Sequence, residues 1–380
     1  MICSYRIKNG RVLDPAKKCD QVKDIYIRNT KIVEAPDGEI PKATEEVDAS
    51  GCLVLPGLID FHCHINYGHS EVGILPDVMT FPNAVTTAVD AGSAGTANFE
   101  GFYRDAVCSS LTTIKSFINV TVMGIASYLQ KENYDVSTWD IPRLEYILER
   151  YTNNILGIKQ RIGKEFGSFS TLVQTKKIAK LLAQRINVHV VGPEQAYNEI
   201  LPHFDKNDIL SHCYQAKNGP HTILDNNGKI CTAAKEARAR GVFFDAAAGR
   251  TLYNFNIIQK ALEDDFLPDI ISSDASSISI FKKSLHSILY VMSMYLALGM
   301  PLNNVIRAVT DTPAKLIGME GQVGTLAPGA AADVVILKIR EKSTIFQDSH
   351  GNTILGSKLF IPQMTIKAGR TVFRQIDFTF

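Results

Sequence analysis

Gly57-Leu58-Ile59-Asp60-Phe61-His62-Cys63-His64 is the stretch on which the reading of this chain turns. It begins as an apolar run behind Pro56 and ends in two histidines separated by one residue. Side chains alternate faces along a strand, so His62 and His64 point one way and Cys63 the other. Two imidazoles on one face, where the hydrophobic run stops, make half of a metal site. Imidazole suits zinc, iron, nickel and copper, so the pair does not select an ion. Taken alone, a His-x-His is more often a hydrogen-bonded structural pair near a turn. The rest of the chain has to supply the other half.

Beyond this run the chain alternates short apolar stretches with helical patterns as far as about Glu320. Val85 to Asp90, Thr113 to Val120, Ile155 to Lys159, Val188 to Val191, Ile209 to His212, Val242 to Asp245 and Ile270 to Asp274 read as strands. Helical patterns lie between them, at Ile141 to Tyr151, Thr171 to Arg185, Thr232 to Arg240 and Leu252 to Glu263. With the first run the strands number eight, the count of a (β/α)8 barrel. The rival, a doubly wound open sheet, needs a Gly-rich phosphate turn after an early strand. Gly92-Ser93-Ala94-Gly95-Thr96 matches that turn poorly.

Both chain ends have a different texture. Ser4 to Leu13 and Asp24 to Val33 each read as two short strands around a turn. Ala332 to Leu337 and Gln363 to Phe373 resume that pattern. The expected architecture is α/β: a (β/α)8 TIM barrel over residues 56–322, with a small β-sandwich domain built from residues 1–55 and 323–380.

The chain has 380 residues, 45% hydrophobic and 21% charged, with a formal net charge of +1. Near-zero charge gives no general reason to expect nucleic acid or an anionic membrane as partner. Met1 to Arg6 shows no basic segment leading into an apolar core, so no secretory signal is expected. The most apolar internal stretch, Leu285 to Met300, is short for a membrane span and reads as a packed helix. Seven cysteines, widely spread and without a Cys-x-x-Cys pair, read as reduced thiols of a cytoplasmic protein. Cys63 and Cys213 adjoin candidate ligand histidines and are expected to pack on the opposite strand face.

Barrel enzymes carry their chemistry at the C-terminal ends of the strands. Read in order, those ends give His62 and His64, then Lys159, His189, His212 and Asp274. Each alone has a structural explanation, but four of the nine histidines at one mouth are hard to explain as core residues. A lysine ending a buried strand usually snorkels to solvent or pairs with an acid. Burial beside cations instead favours the neutral amine. Such an amine can add carbon dioxide to become a carbamate, an anionic ligand able to bridge two metals.

Pro56 to His64 and the closing Gly324-Thr325-Leu326-Ala327-Pro328-Gly329-Ala330-Ala331-Ala332-Asp333-Val334-Val335 resemble the amidohydrolase superfamily. The resemblance covers nearly the whole chain, and the order His-x-His, Lys, His, His, Asp is highly specific. It implies that His62, His64 and Asp274 hold the more buried of two divalent ions, zinc being the expected metal. His189 and His212 would hold the second, with carbamylated Lys159, formed from CO2, bridging both. It further implies a hydrolase that uses a metal-bridging hydroxide, with Asp274 as the catalytic proton shuttle. Asp90 to Gly95, Gly157 to Arg161 and Pro268 to Asp274 are similar to a deacetylase-like subgroup often called dihydroorotase.

Loop residues set specificity, and here the pattern departs from its relatives. By the resemblance, dihydroorotases carry Arg two residues after the His-x-His, and similar adenine deaminases carry Glu. Asn66 stands there and speaks against both. Mononuclear deaminases have Glu three residues after the fifth-strand His, where Gly192 lies. Ala246-Ala247-Ala248-Gly249 and Ala275-Ser276 occupy places where the subgroup often has further histidines. Asn66, Tyr67, His69, Arg161 and Arg250 are the candidate substrate contacts. Arg161 leads, since it follows Lys159 by two and shares its face if the strand continues.

The leading expectation is hydrolysis of an amide or ester in a small polar substrate. An N-acyl amino acid, a cyclic amide or an acetylated hydroxy acid would serve. The alternatives are a deaminase of an adenine-like heterocycle and a non-catalytic scaffold. The expected partner is a small molecule, and a homo-oligomer is compatible with everything above.

Overall fold

The computed structural model describes residues 2–36, 39–217, 219–249, 252–280 and 287–378. Seven parallel strands form one sheet in chain order: β1 (Leu58–Cys63), β2 (Val85–Ala91), β3 (Thr113–Asn119), β4 (Ile155–Ile162), β5 (Ile186–Val190), β6 (Ile209–Ser211) and β7 (Phe243–Asp245). Parallel strands covered on both faces read as continuous apolar, β-branched runs, and β2 is buried at every position. Register places functional side chains at matching heights. Lys159 stands opposite Asn187, Arg161 opposite His189, and Ser211 opposite Asp245.

The expected eighth strand is corrected. Residues 270–275 are joined to β7 and β1 only by isolated bridges, Asp245 to Ile270 and Cys63 to Ala275. They still close the barrel. Ala246 N–H donates to Ile270 O (2.9 Å) on one side, and Asp274 N–H to His62 O (2.8 Å) on the other. Asp274 itself, with φ 48°, lies outside extended geometry.

Helix ends follow local capping. α1 (Ile141–Arg150) starts where Asp140 accepts from Arg143 N–H (3.0 Å). α2 (Phe169–Leu181) starts two residues earlier than the apolar pattern suggests, because Ser168 caps it. It also stops early, since Ala183 turns to φ 52° before β5. α3 (Thr232–Arg240) ends at Gly241, whose φ of 92° suits glycine. α4 (Phe255–Glu263) starts three residues later than expected, at the Asn254 cap. The apolar stretch near 285–300 is α5 (Ile288–Ala297), a packed helix as expected, with Leu285 and His286 outside the described residues. Among the described residues no helix is long and apolar enough to cross a membrane.

The two chain ends share sheets. Ile2–Lys8, Ile25–Arg28, Lys31–Val33 and Lys42–Asp48 form a four-stranded sheet. Arg11–Asp14, Cys19–Val22, Leu53–Pro56, Val334–Gln347, Thr353–Lys367 and Arg370–Arg374 form a six-stranded one. Their inner faces meet in one apolar cluster, with Ile7, Ile27 and Val47 from the first and Val54, Val334 and Ile366 from the second. The chain crosses from this sandwich to the barrel at Gly57. A Cβ there would lie 2.1 Å from Thr86 Oγ1, so only glycine fits the crossing.

The C-terminal hairpin is much longer than the pattern at Ala332 to Leu337 suggested. Its outer half packs on α5, where Phe360 N–H donates to Ser293 Oγ (3.0 Å). At its tip Asp348 Oδ2 accepts from Phe255 N–H (2.9 Å), which ties the start of α4 beside the barrel mouth.

Candidate active site

His62, at the end of β1, places its Nδ1 3.0 Å from Asp245 Oδ2. Asp245 can only accept as a carboxylate, so the His62 proton lies on Nδ1 and Nε2 presents its lone pair. His64 Nδ1 meets Ser93 Oγ (2.8 Å), and the Ser93 hydroxyl in turn donates to Asp90 Oδ2 (2.8 Å). His212 Nδ1 donates to Ala247 O (2.8 Å). Three imidazoles are therefore oriented by partners that leave Nε2 as the coordinating atom, the arrangement expected behind metal ligands.

Those atoms converge. His64 Nε2 lies 3.1 Å and His62 Nε2 3.6 Å from Asp274 Oδ1. Ligand atoms of His62, His64 and Asp274 all fall within 4.8 Å of one another. The His212 ring centroid is 5.1 Å from that of His62 and 4.3 Å from that of His189. His62, His64, Lys159, Arg161, His189 and Asp274 share one cavity of about 60 Å³. The Nε2 atoms of His62, His189 and His212 are buried with no hydrogen-bond partner. Buried polar atoms are rarely left so, and unpaired imidazole nitrogens beside a carboxylate suit a divalent ion. The residues present fit a metal centre.

Burial dominates the ionisation. It pushes His62 and His189 well below the usual histidine range, and His212 down to about 3, which keeps all three neutral. Burial also lowers the Lys159 amine to about 7. It raises the Asp274 carboxyl, but close contact with His64 and the nearby His62 and His212 outweigh it and hold Asp274 below the carboxylate range.

The backbone is bent around the site. His212, Ala247 and Asp274 have φ of 60°, 36° and 48°, left-handed values that non-glycine residues seldom adopt. Gly249 lies against the Asp274 carboxylate, where a Cβ would come within 1.9 Å of Oδ2.

Of the substrate contacts expected from sequence, Arg161 lines the cavity because β4 runs on to Ile162. Its Nη1 lies 2.7 Å from Glu132 Oε2, its guanidinium sits 3.7 Å from the Phe166 ring centroid, and its buried Nε has no partner. Asn66 is fully buried, with neither amide atom hydrogen-bonded, and does not line the cavity. Tyr67 and His69 are not brought to the site. Asn66 O accepts from His69 N–H (3.3 Å) and Ser70 N–H (3.1 Å), and this turn carries the chain outward. Tyr67 is 53% exposed and His69 Nε2 pairs with Asp105 Oδ2 at 2.7 Å. Arg250 lies outside the described residues.

Sequence reasoning missed Asp245, Ser93 and Asp90, which orient the histidines. Asp245 ends β7, so the strand-end rule that found Lys159 could have found it. Val72, Ile125, Tyr128 and Ser276 also wall the cavity, and as loop residues they left no periodic signal. Cys63 and Cys213 are buried in the core as expected, and all seven cysteines are free.

The sequence pattern of the amidohydrolase family matches residues 53–372. The chain belongs to that family. This amidohydrolase is 33% identical over 353 residues to a deacetylase of Brucella anthropi, covering 89% of this chain and 86% of that protein. It is similar to the crystal structure of an adenine deaminase, with TM-score 0.88 and 26% identity over 98% of this chain and 100% of that one. A dihydroorotase structure is equally alike, with TM-score 0.88 and 28% identity over 98% of both chains. The protein is a metal-dependent hydrolase acting on carbon–nitrogen bonds. That removes the non-catalytic scaffold considered from the sequence.

Proposed function

We propose that this amidohydrolase cleaves the amide, or ester, bond of a small carboxylate-bearing substrate such as an N-acyl amino acid, a cyclic amide or an acetylated hydroxy acid. The observation that carries the reading is that His62 and His189, each with an unpaired buried Nε2 and both packed against His212, line one cavity with Lys159, Arg161 and Asp274. In this reading residues 56–322 form the catalytic unit, and residues 1–55 and 323–380 form the supporting sandwich.

His62, His64 and Asp274 would hold one divalent ion, and His189 and His212 a second. A carbamate on Lys159 would serve both. Imidazole and carboxylate donors suit zinc. When bound, such ions polarise a carbonyl and acidify water.

The chain's own residues supply the rest. Arg161, anchored through Nη1 on Glu132 and stacked on Phe166, keeps Nε free to grip a carboxylate and so fixes the scissile bond toward the histidines. Val72, Ile125 and Leu252 give the cavity an apolar wall. Asp274 takes the proton from the attacking water and hands it to the leaving nitrogen or oxygen. Water oxygen bonds to the acyl carbon, the carbon–nitrogen bond breaks, and the proton ends on the leaving group.

Likeness to an adenine deaminase keeps deamination as the second reading. The test is a screen of zinc-loaded protein against N-acyl amino acids, cyclic amides, acetylated hydroxy acids and amino-substituted heterocycles. Released carboxylic acid without ammonia is expected. Ammonia from a heterocycle, with no acid from any acyl compound, overturns the proposal.

A further inference from the structure

Asn187 takes no part in the chemistry above, yet it holds the residue on which the metal centre depends. Among the described residues, Lys159 Nζ makes one hydrogen bond, to Asn187 Oδ1 at 2.9 Å. Register dictates the contact, since Lys159 on β4 stands opposite Asn187 on β5. Both side chains are buried, Lys159 at 1% and Asn187 at 0% exposure, so no bulk water competes for the bond.

The same Asn187 oxygen also accepts from Ser211 Oγ (2.8 Å). Ser211 Oγ lies 3.3 Å from Asp245 Oδ2, the oxygen that meets His62 Nδ1 at 3.0 Å. Ser211 has one hydroxyl proton to share between these two acceptors, and the polar side chains of Lys159, Asn187, Ser211, Asp245 and His62 line up from β4 across β5, β6 and β7 to β1. With Lys159 Nζ approaching as a donor, the amide oxygen faces it. The Asn187 Nδ2 is buried and has no partner.

Donor counting gives this arrangement a direction. A lysine ammonium carries three N–H donors, the neutral amine two and a lone pair, and a carbamate nitrogen one. Asn187 offers a single acceptor. An ammonium here leaves two donors without a protein partner, and a carbamate leaves none. A buried donor without an acceptor is costly, so the environment discriminates between these forms by hydrogen-bond count.

We propose that Asn187 is a positioning residue for Lys159, which presents the nitrogen lone pair to CO2 and retains the one N–H of the carbamate. The inference rests on the reading of Lys159 as the carbamate-bearing ligand. In the step it serves, the nitrogen lone pair forms the N–C bond and one C=O π pair of CO2 moves to oxygen. One N–H proton leaves to water in the cavity, and the other N–H stays on Asn187 Oδ1. No electron is transferred, and the side chain ends with one negative charge.

If Asn187 only fills the barrel interior, an apolar replacement of similar size should serve as well. The experiment equilibrates zinc-loaded wild type, Asn187→Leu and Asn187→Asp with ¹³C-bicarbonate. It reads the carbamate signal by ¹³C NMR and zinc per chain by atomic emission, with circular dichroism to verify folding. Leucine removes the acceptor. Aspartate keeps the shape but sets a negative charge beside the carbamate, and it covers the case in which the leucine variant does not fold.

In both variants the carbamate signal should fall at least tenfold at equal bicarbonate, and zinc should drop by one or more per chain. Raising bicarbonate should restore the leucine variant but not the aspartate variant. A folded variant that labels like wild type overturns the role of Asn187 and leaves the carbamate intact. Wild type without any carbamate signal overturns the carbamate reading itself, and this inference with it.

Discussion

Replacing Lys159 by methionine should flatten the pH dependence of stability in the metal-free, CO2-free protein. Lys159 is 1% exposed, and burial lowers its amine from 10.5 to about 7. The unfolded chain therefore binds this proton up to about pH 10.5, and the folded chain releases it near pH 7. Between those values the unfolded state holds more protons, so the lysine's contribution to stability rises with pH across that window. At about 1.4 kcal/mol per tenfold change in proton equilibrium, the lysine costs about 5 kcal/mol below the window. The penalty is about 4 kcal/mol at pH 7 and about 1 kcal/mol at pH 10.

Methionine has a similar length and no charge, and its lost bond to Asn187 adds an offset that does not vary with pH. The assay is urea unfolding of both proteins at pH 7, 8, 9 and 10 in degassed buffer with chelator, followed by circular dichroism. Wild type should gain about 3 to 4 kcal/mol on the variant between pH 7 and pH 10. Parallel curves would show that the amine is not held in a desolvated site, and the argument for a neutral, carbamate-forming lysine would fail. The functional corollary is large. At pH 7 about half of the folded Lys159 is unprotonated, against about one in three thousand for a solvated lysine.

Asp274→Asn should keep its metal and lose roughly 10²- to 10⁴-fold in kcat, the range of a lost proton shuttle. Near-normal turnover with full metal content would remove Asp274 from that role. Asp245→Ala frees the His62 ring, and zinc affinity measured by competition with a chromophoric chelator should weaken roughly 10- to 100-fold. Unchanged affinity would mean that the 3.0 Å contact is incidental. Arg161→Met should raise KM roughly 10- to 100-fold for a carboxylate substrate, as expected for lost charge-assisted hydrogen bonds, and leave its carboxamide analogue unaffected. Equal effects on both would refute carboxylate recognition. Gly249→Ala drives a methyl into Asp274 Oδ2 at 1.9 Å, and should cost about 1–3 kcal/mol of stability and most of kcat. Wild-type activity would mean that the Asp274 carboxylate has freedom to move.

The barrel and the candidate donors at its mouth were legible because two periodic signals survive in one dimension. Apolar runs mark strands buried on both faces, and the residue at each strand end falls at one mouth by the geometry of the fold. His62, His64, Lys159, His189, His212 and Asp274 could therefore be collected without coordinates. Arg161 followed from the two-residue strand period. Tyr67 and His69 failed because nearness to the His-x-His in sequence does not survive the turn at Asn66, which sends them to the surface. Helix boundaries moved by a few residues wherever a cap, such as Ser168 or Asn254, outweighed the apolar pattern.

Sequence alone determined which donors could meet and at which end of the barrel, since both follow from strand period and chain order. The tertiary structure decided which imidazole nitrogen faces the cavity, because Asp245, Ser93 and Ala247 come from other strands and loops to fix each tautomer. It also decided that Lys159 is desolvated and held by one acceptor, since burial and cross-strand register exist only once the sheet has closed. The residues are local in the chain. Their chemistry is set by neighbours that only the fold brings near.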